Sequence, residues 1–221
     1  MIPTTSELYD LSHTLAAPLL SASRYPWEVL GGIQDFVLKL GETLPAEEYD
    51  HPSETVWIAK GVKMAPNVSV SGPCIIGKGT ELRPGAFIRG SVLIGEGCVI
   101  GNSAELKNAI LFDGVQVPHF NYVGDSVLGY KSHLGAGAVT SNVKSDKTPV
   151  VIKGDGEEIP TGRKKVGAMV GDFVEVGCNS VLCPGSVLGP HAQVYPTSCV
   201  RGLLPASHIW KGKDNIVPRK E

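Results

Sequence analysis

No uninterrupted apolar run in this chain approaches the ~18 residues of a membrane span. The amino terminus also lacks the basic-then-apolar order of a secretory signal. Together these absences predict a protein of the cytoplasm with no membrane partner. Charge of one sign is missing as well: 20 Lys and Arg stand against 22 Asp and Glu, for a net charge of -2. No broad basic surface is available to grip nucleic acid, so that partner class is excluded. The five cysteines (Cys74, Cys98, Cys178, Cys183, Cys199) include no CxxC pair, and an odd number is a poor disulfide framework. Aromatic residues are scarce, at 6%, which leaves small and aliphatic side chains to fill the core.

What the chain has instead is a period. Ile58, Met64, Val70, Ile76, Leu82, Ile88, Ile94, Ile100, Leu106 and Phe112 stand six residues apart, and the step returns at Val170, Val176, Leu182, Leu188, Val194 and Val200. Six is neither the 3.6 of a helix nor the alternation of a free strand. It marks a solenoid with three short flat faces and about 18 residues per coil, the parallel β-helix of hexapeptide repeats. Two positions before the aliphatic sits a small or branched residue, as at Ala86, Cys98, Ala104, Ala168, Ser180, Ser186 and Ala192. A narrow triangular prism has room there for little else, so Cys74 and Cys98 read as core filler. Glycine follows the aliphatic at Gly77, Gly95, Gly101, Gly171, Gly177 and Gly189, where a corner residue tolerant of φ > 0 is expected.

Residues 1–55 do not carry the step. Leu8, Leu11, Leu15, Leu19 and Leu20, then Trp27, Leu30, Ile33, Val37 and Leu40, have helical spacing, and Pro26 suits a helix start. Two helices are expected, forming a cap over the open apolar end of the solenoid. The β-helix spans 56–205. Its step slips after Phe112, with Val117, Val123, Leu128 and Leu134 spaced six, five and six. From 141 to 165 it vanishes into a charged stretch that reads as a small hairpin, expected to leave the prism as an arm and reach a neighbouring subunit. Residues 206–221 form a basic tail along the outside.

At the slip, the strings "LRPGA", "ELKNA", "HFNYVGDS" and "HLGAGAVTSN" occur in order. With them the chain resembles the C-terminal acetyltransferase domain of bifunctional UDP-N-acetylglucosamine pyrophosphorylase/glucosamine-1-phosphate N-acetyltransferase enzymes. The resemblance covers residues 56–200 and implies an all-β, left-handed parallel β-helix that assembles as a homotrimer. It further implies acetyl-CoA as co-substrate, bound in the groove between subunits, with no metal. His119 matches the general base. Arg83 and Lys107 match groups that hold the sugar phosphate, and Tyr122 matches a tyrosine on phosphate and sugar. Ala136, within Gly135-Ala136-Gly137, matches a small residue whose backbone meets the pantetheine arm of acetyl-CoA.

Elementary chemistry agrees with these roles. An amine nucleophile must be neutral when it attacks, and an imidazole suits that proton transfer. A phosphate dianion wants charge-assisted donors, which Arg83 offers as a planar fork and Lys107 as a point charge. The chain departs from the pattern at His133, where the family has a substrate-contacting asparagine. The nucleotidyltransferase domain is missing, so pyrophosphorylase activity is not expected. The expected function is therefore acetyl transfer from acetyl-CoA to an amino-sugar phosphate, such as glucosamine 1-phosphate. Two alternatives stand beside it: a non-catalytic sugar-phosphate or sugar-nucleotide binding protein, and a γ-carbonic-anhydrase-like metalloenzyme. For the second, His119 and His133 lack an evident third ligand.

Overall fold

The computed structural model describes residues 1–220. It is a parallel β-helix, as the repeat predicts, left-handed as the family resemblance implies, with few helices. Each coil crosses three faces. The first is built from Val56–Ala59, Cys74–Ile76, Val92–Ile94, Ala168–Val170, Ser186–Leu188 and Leu203–Leu204. Ala109–Leu111 and Ser126–Leu128 complete it. The second runs from Lys63–Met64 through Glu81–Leu82, Val99–Asn102, Gln116–His119, His133–Leu134, Glu175–Val176 and Gln193–Val194 to His208–Gly212. The third stacks Ser69–Val70, Phe87–Ile88, the starts of Glu105–Leu111 and Tyr122–Leu128, then Val139–Thr140, Val181–Leu182 and Cys199–Val200. Aliphatics of the six-residue step point inward and stack rung on rung: Leu82, Ile88, Ile94, Ile100 and Leu106 are all buried. Cys74 and Cys98 are buried between them, with both thiols pushed up by desolvation, Cys98 to about 12.

One register expectation is corrected. Leu111, not Phe112, continues the inward column, since Leu111 pairs with Ile94 and with Leu128. Phe112 sits at the next corner and packs its ring against Tyr9, 5.0 Å away. The step therefore shortens between Leu106 and Leu111, and again between Val123 and Leu128, each time at the corner from the third face back to the first.

The reason for the glycines that follow the aliphatics is also corrected. Gly77, Gly95, Gly101, Gly171, Gly177 and Gly189 do not adopt positive φ. They are small because the next coil lies against them: a Cβ on Gly101 would fall 1.5 Å from the Pro118 carbonyl oxygen, and one on Gly77 would fall 2.5 Å from Gly95 backbone. The left-handed conformation comes two residues later, at Gly79, Gly97 and Gly114, or at Lys131, Phe173 and His191, which carry side chains.

The amino-terminal segment lies along the flank of the prism, correcting the expected end cap. It holds three short α-helices (Thr5–Leu8, Ala17–Ser21, Ile33–Gly41) and two 3-10 turns (Leu11–His13, Pro26–Gly31), where spacing predicted two helices. Gly31 and Gly32 interrupt the second run, because glycine is a poor helix interior residue. The segment covers the outer side of the first face, where Ile75, Leu93, Ile110, Val127 and Met169 are fully buried. Backbone bonds pin it: Asp113 N–H to His13 O and Asp172 N–H to Leu8 O.

The 141–165 stretch is a hairpin (Val151–Gly154, Glu157–Pro160), but it folds back onto its own prism instead of projecting. Val150 and Ile152 are fully buried, close to Gly185, and Gly154 lies against Leu203. Apolar side chains at these positions explain the docking, since an arm extended into water would expose them. The carboxyl-terminal strand Asn215–Pro218 turns back antiparallel on His208–Gly212 and closes the sheet edge, as Tyr49–Ser53 does at the other end. Both ends are thus blunted against edge-to-edge association.

The two uses of glycine separate experimentally. Gly101→Ala should cost about 3 kcal/mol or more, because rigid backbone must give way. Gly97→Ala, with a φ of +61° and nothing within 4 Å, should cost only ~1–2 kcal/mol. Denaturant midpoints measure both, and a reversed order would refute the close-approach explanation.

Candidate functional site

Corners of a solenoid recur in columns, one coil above another at about 4.8 Å. The corner from the second to the third face presents Pro84, Asn102, His119, Ala136, Cys178 and Pro196 at its apex in successive coils. Bonds such as Gly137 N–H to His119 O and Asn179 N–H to Ala136 O link them. His119 is exposed, and neither ring nitrogen has a partner among the described residues. Its neighbour Phe120 takes the left-handed position and is 63% exposed.

The His119 corner is held by Asn121, which the sequence reading missed. Asn121 is buried at the position where other coils place Ala86, Ala104 and Ala138. Its Oδ1 accepts from His119 N–H at 2.9 Å, while its Nδ2 donates to the carbonyls of Gly135 and Ala138, both at 2.9 Å. One amide thereby locks the histidine corner to the Gly135-Ala136-Gly137 corner. The signal was available: a carboxamide in a column that holds Ala and Ser in neighbouring coils.

Across the third face from His119 lies a second cluster. Tyr122 projects outward at the start of the rung and lays its ring over Gly124, where any side chain would meet the hydroxyl. Asn142 Nδ2 donates to Tyr122 Oη at 3.2 Å and also bonds Asp125 Oδ2. Asp125 is nearly fully buried. It also accepts from Asn108 Nδ2 at 2.8 Å and has Lys107 Nζ 3.7 Å from its Oδ2. Asn108 and Asp125 occupy the two shortened corners, with φ of 48° and 49°, a conformation these residue types tolerate best after glycine. Burial, and next the Asp125 charge, push the Tyr122 phenol up, so it remains a hydrogen-bond donor. Arg89 lies one coil from Lys107 and is paired with Glu105 at 2.7 Å.

The structure thus brings Lys107 and Tyr122 into one cluster and His119, Gly135 and Ala136 into another, at opposite edges of one face. Arg83 shares the His119 corner two coils away and is paired with Glu81 at 3.1 Å. His133 faces outward on the second face, around the corner from Tyr122, with Nδ1 2.8 Å from Glu175 Oε2. Among the described residues no three His, Cys, Asp or Glu side chains converge to hold a metal.

The scaffold and the exposed histidine differ in what their loss should do. Asn121→Ala removes the acceptor of His119 N–H and a donor to the Ala138 carbonyl, while Gly135 O keeps its bond from Ala138 N–H, and should cost about 1–3 kcal/mol. His119→Ala, at an exposed apex, should stay within ~0.5 kcal/mol. Urea unfolding of both variants checks this, and equal effects would deny Asn121 its clamping role.

Comparison with known proteins matches residues 70–211 to the model of the GMPPB C-terminal domain. A bifunctional sugar-1-phosphate nucleotidylyltransferase/acetyltransferase from Sulfurisphaera tokodaii is 37% identical over 98 residues, 44% of this chain and 24% of that protein. The bifunctional protein GlmU of Methanococcus maripaludis is 30% identical over 199 residues, 89% of this chain and 48% of that protein. The chain therefore spans at most about half the length of these curated relatives. Among solved structures, the acetyltransferase domain of PglB from Neisseria gonorrhoeae, in complex with acetyl coenzyme A, is similar at 13% identity. That match covers 74% of this chain and 57% of the other, with a TM-score of 0.32. With the matched model spanning most of its coils, the chain belongs to the GMPPB C-terminal domain family.

Proposed function

We propose that the protein transfers the acetyl group of acetyl-CoA to the amine of an amino-sugar phosphate such as glucosamine 1-phosphate. The observation that carries this reading is the arrangement of the third face. An unpaired imidazole stands at one edge, clamped to a glycine-rich corner, and a lysine, a tyrosine and a carboxamide cluster at the other. Family membership and a relative named as a bifunctional sugar-1-phosphate nucleotidylyltransferase/acetyltransferase support it.

In this reading His119 takes the proton from the sugar amine as nitrogen attacks the thioester carbonyl. The tetrahedral intermediate then collapses with release of the CoA thiolate. Lys107 supplies a cation for the phosphate, and Tyr122 and Asn142 donate to phosphate or sugar oxygens. The Gly135–Gly137 corner offers the half-buried backbone of Ala136 and Gly137 to the pantetheine arm, with Ala136 small enough to admit it. Arg83 and His133 join only by releasing Glu81 and Glu175, or by facing the site of another subunit. A homotrimer provides such a subunit and walls the groove.

A second reading, binding without turnover, draws on those same two ion pairs, since both side chains already have internal counter-charges. Steady-state assays with acetyl-CoA and glucosamine 1-phosphate, following free thiol, separate the two. His119→Ala should lower kcat by 10²-fold or more while leaving the fold intact. Tyr122→Phe should act mainly on KM for the sugar phosphate. Binding of the sugar phosphate with no thiol release from any amino sugar would replace the enzyme reading with the second one. A monomer by light scattering would remove the proposed groove.

A further inference from the structure

Cys183 and Cys199 take no part in the site above, yet the coils bring their sulfurs to 3.4 Å. Register explains the approach. Val181 pairs with Cys199 and Leu182 with Val200, so Cys183 lies two positions beyond the residue opposite Cys199 on the adjacent rung, on the same side of the strand. Cys199 is exposed and Cys183 is nearly buried. Burial, and next the bond to Cys199, push the Cys183 thiol up to about 11. The corner opens on a cavity of about 260 Å³ whose lining includes Lys144, Lys153, Cys183 and Arg201. Lys144 is paired with Asp146 and Lys153 with Glu158. Arg201 has no carboxylate partner among the described residues, and the neighbouring Cys199 and Cys183 sulfurs push its guanidinium up.

We propose that this pair is a thiol–disulfide exchange site for anionic low-molecular-weight disulfides of the glutathione-disulfide type. The exposed Cys199 is the attacking sulfur. As its thiolate it attacks one sulfur of the reagent, the reagent's S–S bond breaks, and one small thiolate leaves and takes up a proton. Cys183 then gives its proton to water and attacks the Cys199 sulfur of the mixed disulfide, expelling the second small thiolate. The two protein thiols lose two electrons and two protons, and the reagent is reduced to two thiols. Closing the bond draws the sulfurs from 3.4 Å to ~2.05 Å. Arg201 supplies the unbalanced positive charge on the approach path, which favours an anionic reagent over a cationic one. The product staples one coil to the next beside the docked hairpin.

The test uses the whole reduced chain, incubated anaerobically with glutathione disulfide or with the cationic disulfide cystamine, then alkylated and read by peptide mass spectrometry. The expected result is a Cys183–Cys199 cross-linked peptide two hydrogens lighter than the reduced pair, formed at least about tenfold faster with the anionic reagent. Cys183→Ser should stop at a glutathione adduct on Cys199, and Cys199→Ser should leave Cys183 alkylatable. Cys178→Ser, which removes the other exposed thiol, should change nothing. Arg201→Glu should abolish the preference for the anionic reagent. If only Cys178 is modified, or if Cys183 and Cys199 both remain alkylatable, the exchange site is refuted. Equal rates with both reagents would refute its anionic specificity.

Discussion

Everything in this molecule depends on how closely one coil can lie on the next. Parallel rungs hydrogen-bond at about 4.8 Å, and at the corners that spacing is possible only where a Cβ is missing or small. Gly77, Gly95 and Gly101 meet the following coil's backbone so closely that a methyl group would overlap it. Once the corners nest, every residue at a given corner position is carried into a column with its counterparts one coil away. Columns convert sequence spacing of 17 or 18 residues into spatial contact. His119 meets Ala136 for this reason, and Lys107 meets Asp125 for a related one.

The shortened corners show how a departure from the repeat makes chemistry. At the two corners that lack one residue between the third and first faces, the left-handed positions are held by Asn108 and Asp125. Their side chains then stack, amide to carboxylate, and Asn142 continues the series from the next coil. A buried carboxylate is costly unless hydrogen-bonded or paired with a cation. Here two amides and Lys107 meet that requirement, and the same arrangement fixes Asn142 against the Tyr122 hydroxyl. The order at Tyr122 is thus a consequence of satisfying Asp125. Asn108 Nδ2 also donates to Leu30 O, which ties the ladder to the flanking segment.

The inward face of the prism was legible because its spacing is strict and its cause local. Ile58 through Leu106 could be placed from the period alone. The flanking layer was legible in principle by a different signal. First-face rungs read as unbroken apolar triplets (Cys74-Ile75-Ile76, Val92-Leu93-Ile94, Ala168-Met169-Val170), whereas the second face alternates, as in Glu81-Leu82 and Gln116-Val117. A strand apolar on both sides is buried on both sides, which locates the amino-terminal helices on the flank and not at the end. Where the hairpin docks was not legible, because it rests on contacts between residues far apart in sequence, such as Gly154 with Leu203. In the candidate site, the motif names outward-facing residues such as His119 and Tyr122, but not the residues that hold them in place. Asn121 and Asp125 act through buried hydrogen bonds to neighbouring coils, and no one-dimensional spacing reports a bond partner. The slip was misplaced by one residue because Phe112 and Leu111 are both apolar, and only strand pairing tells them apart.

A general base on a convex corner faces a physical difficulty that bears on the proposed chemistry. His119 stands exposed at an apex, where water has access to it. Acyl transfer to an amine gains most from fixed dipoles in a site that excludes water. The missing wall cannot come from the hairpin, which is committed to the first face, nor from the flanking helices, which lie on the same side. A second surface must close over the corner from outside. Phe120, 63% exposed beside His119, gives that surface an apolar contact to bury. For the proposed acyl transfer, the position of the histidine thus gives its own argument for a groove between subunits, beside the trimer that the family resemblance implies.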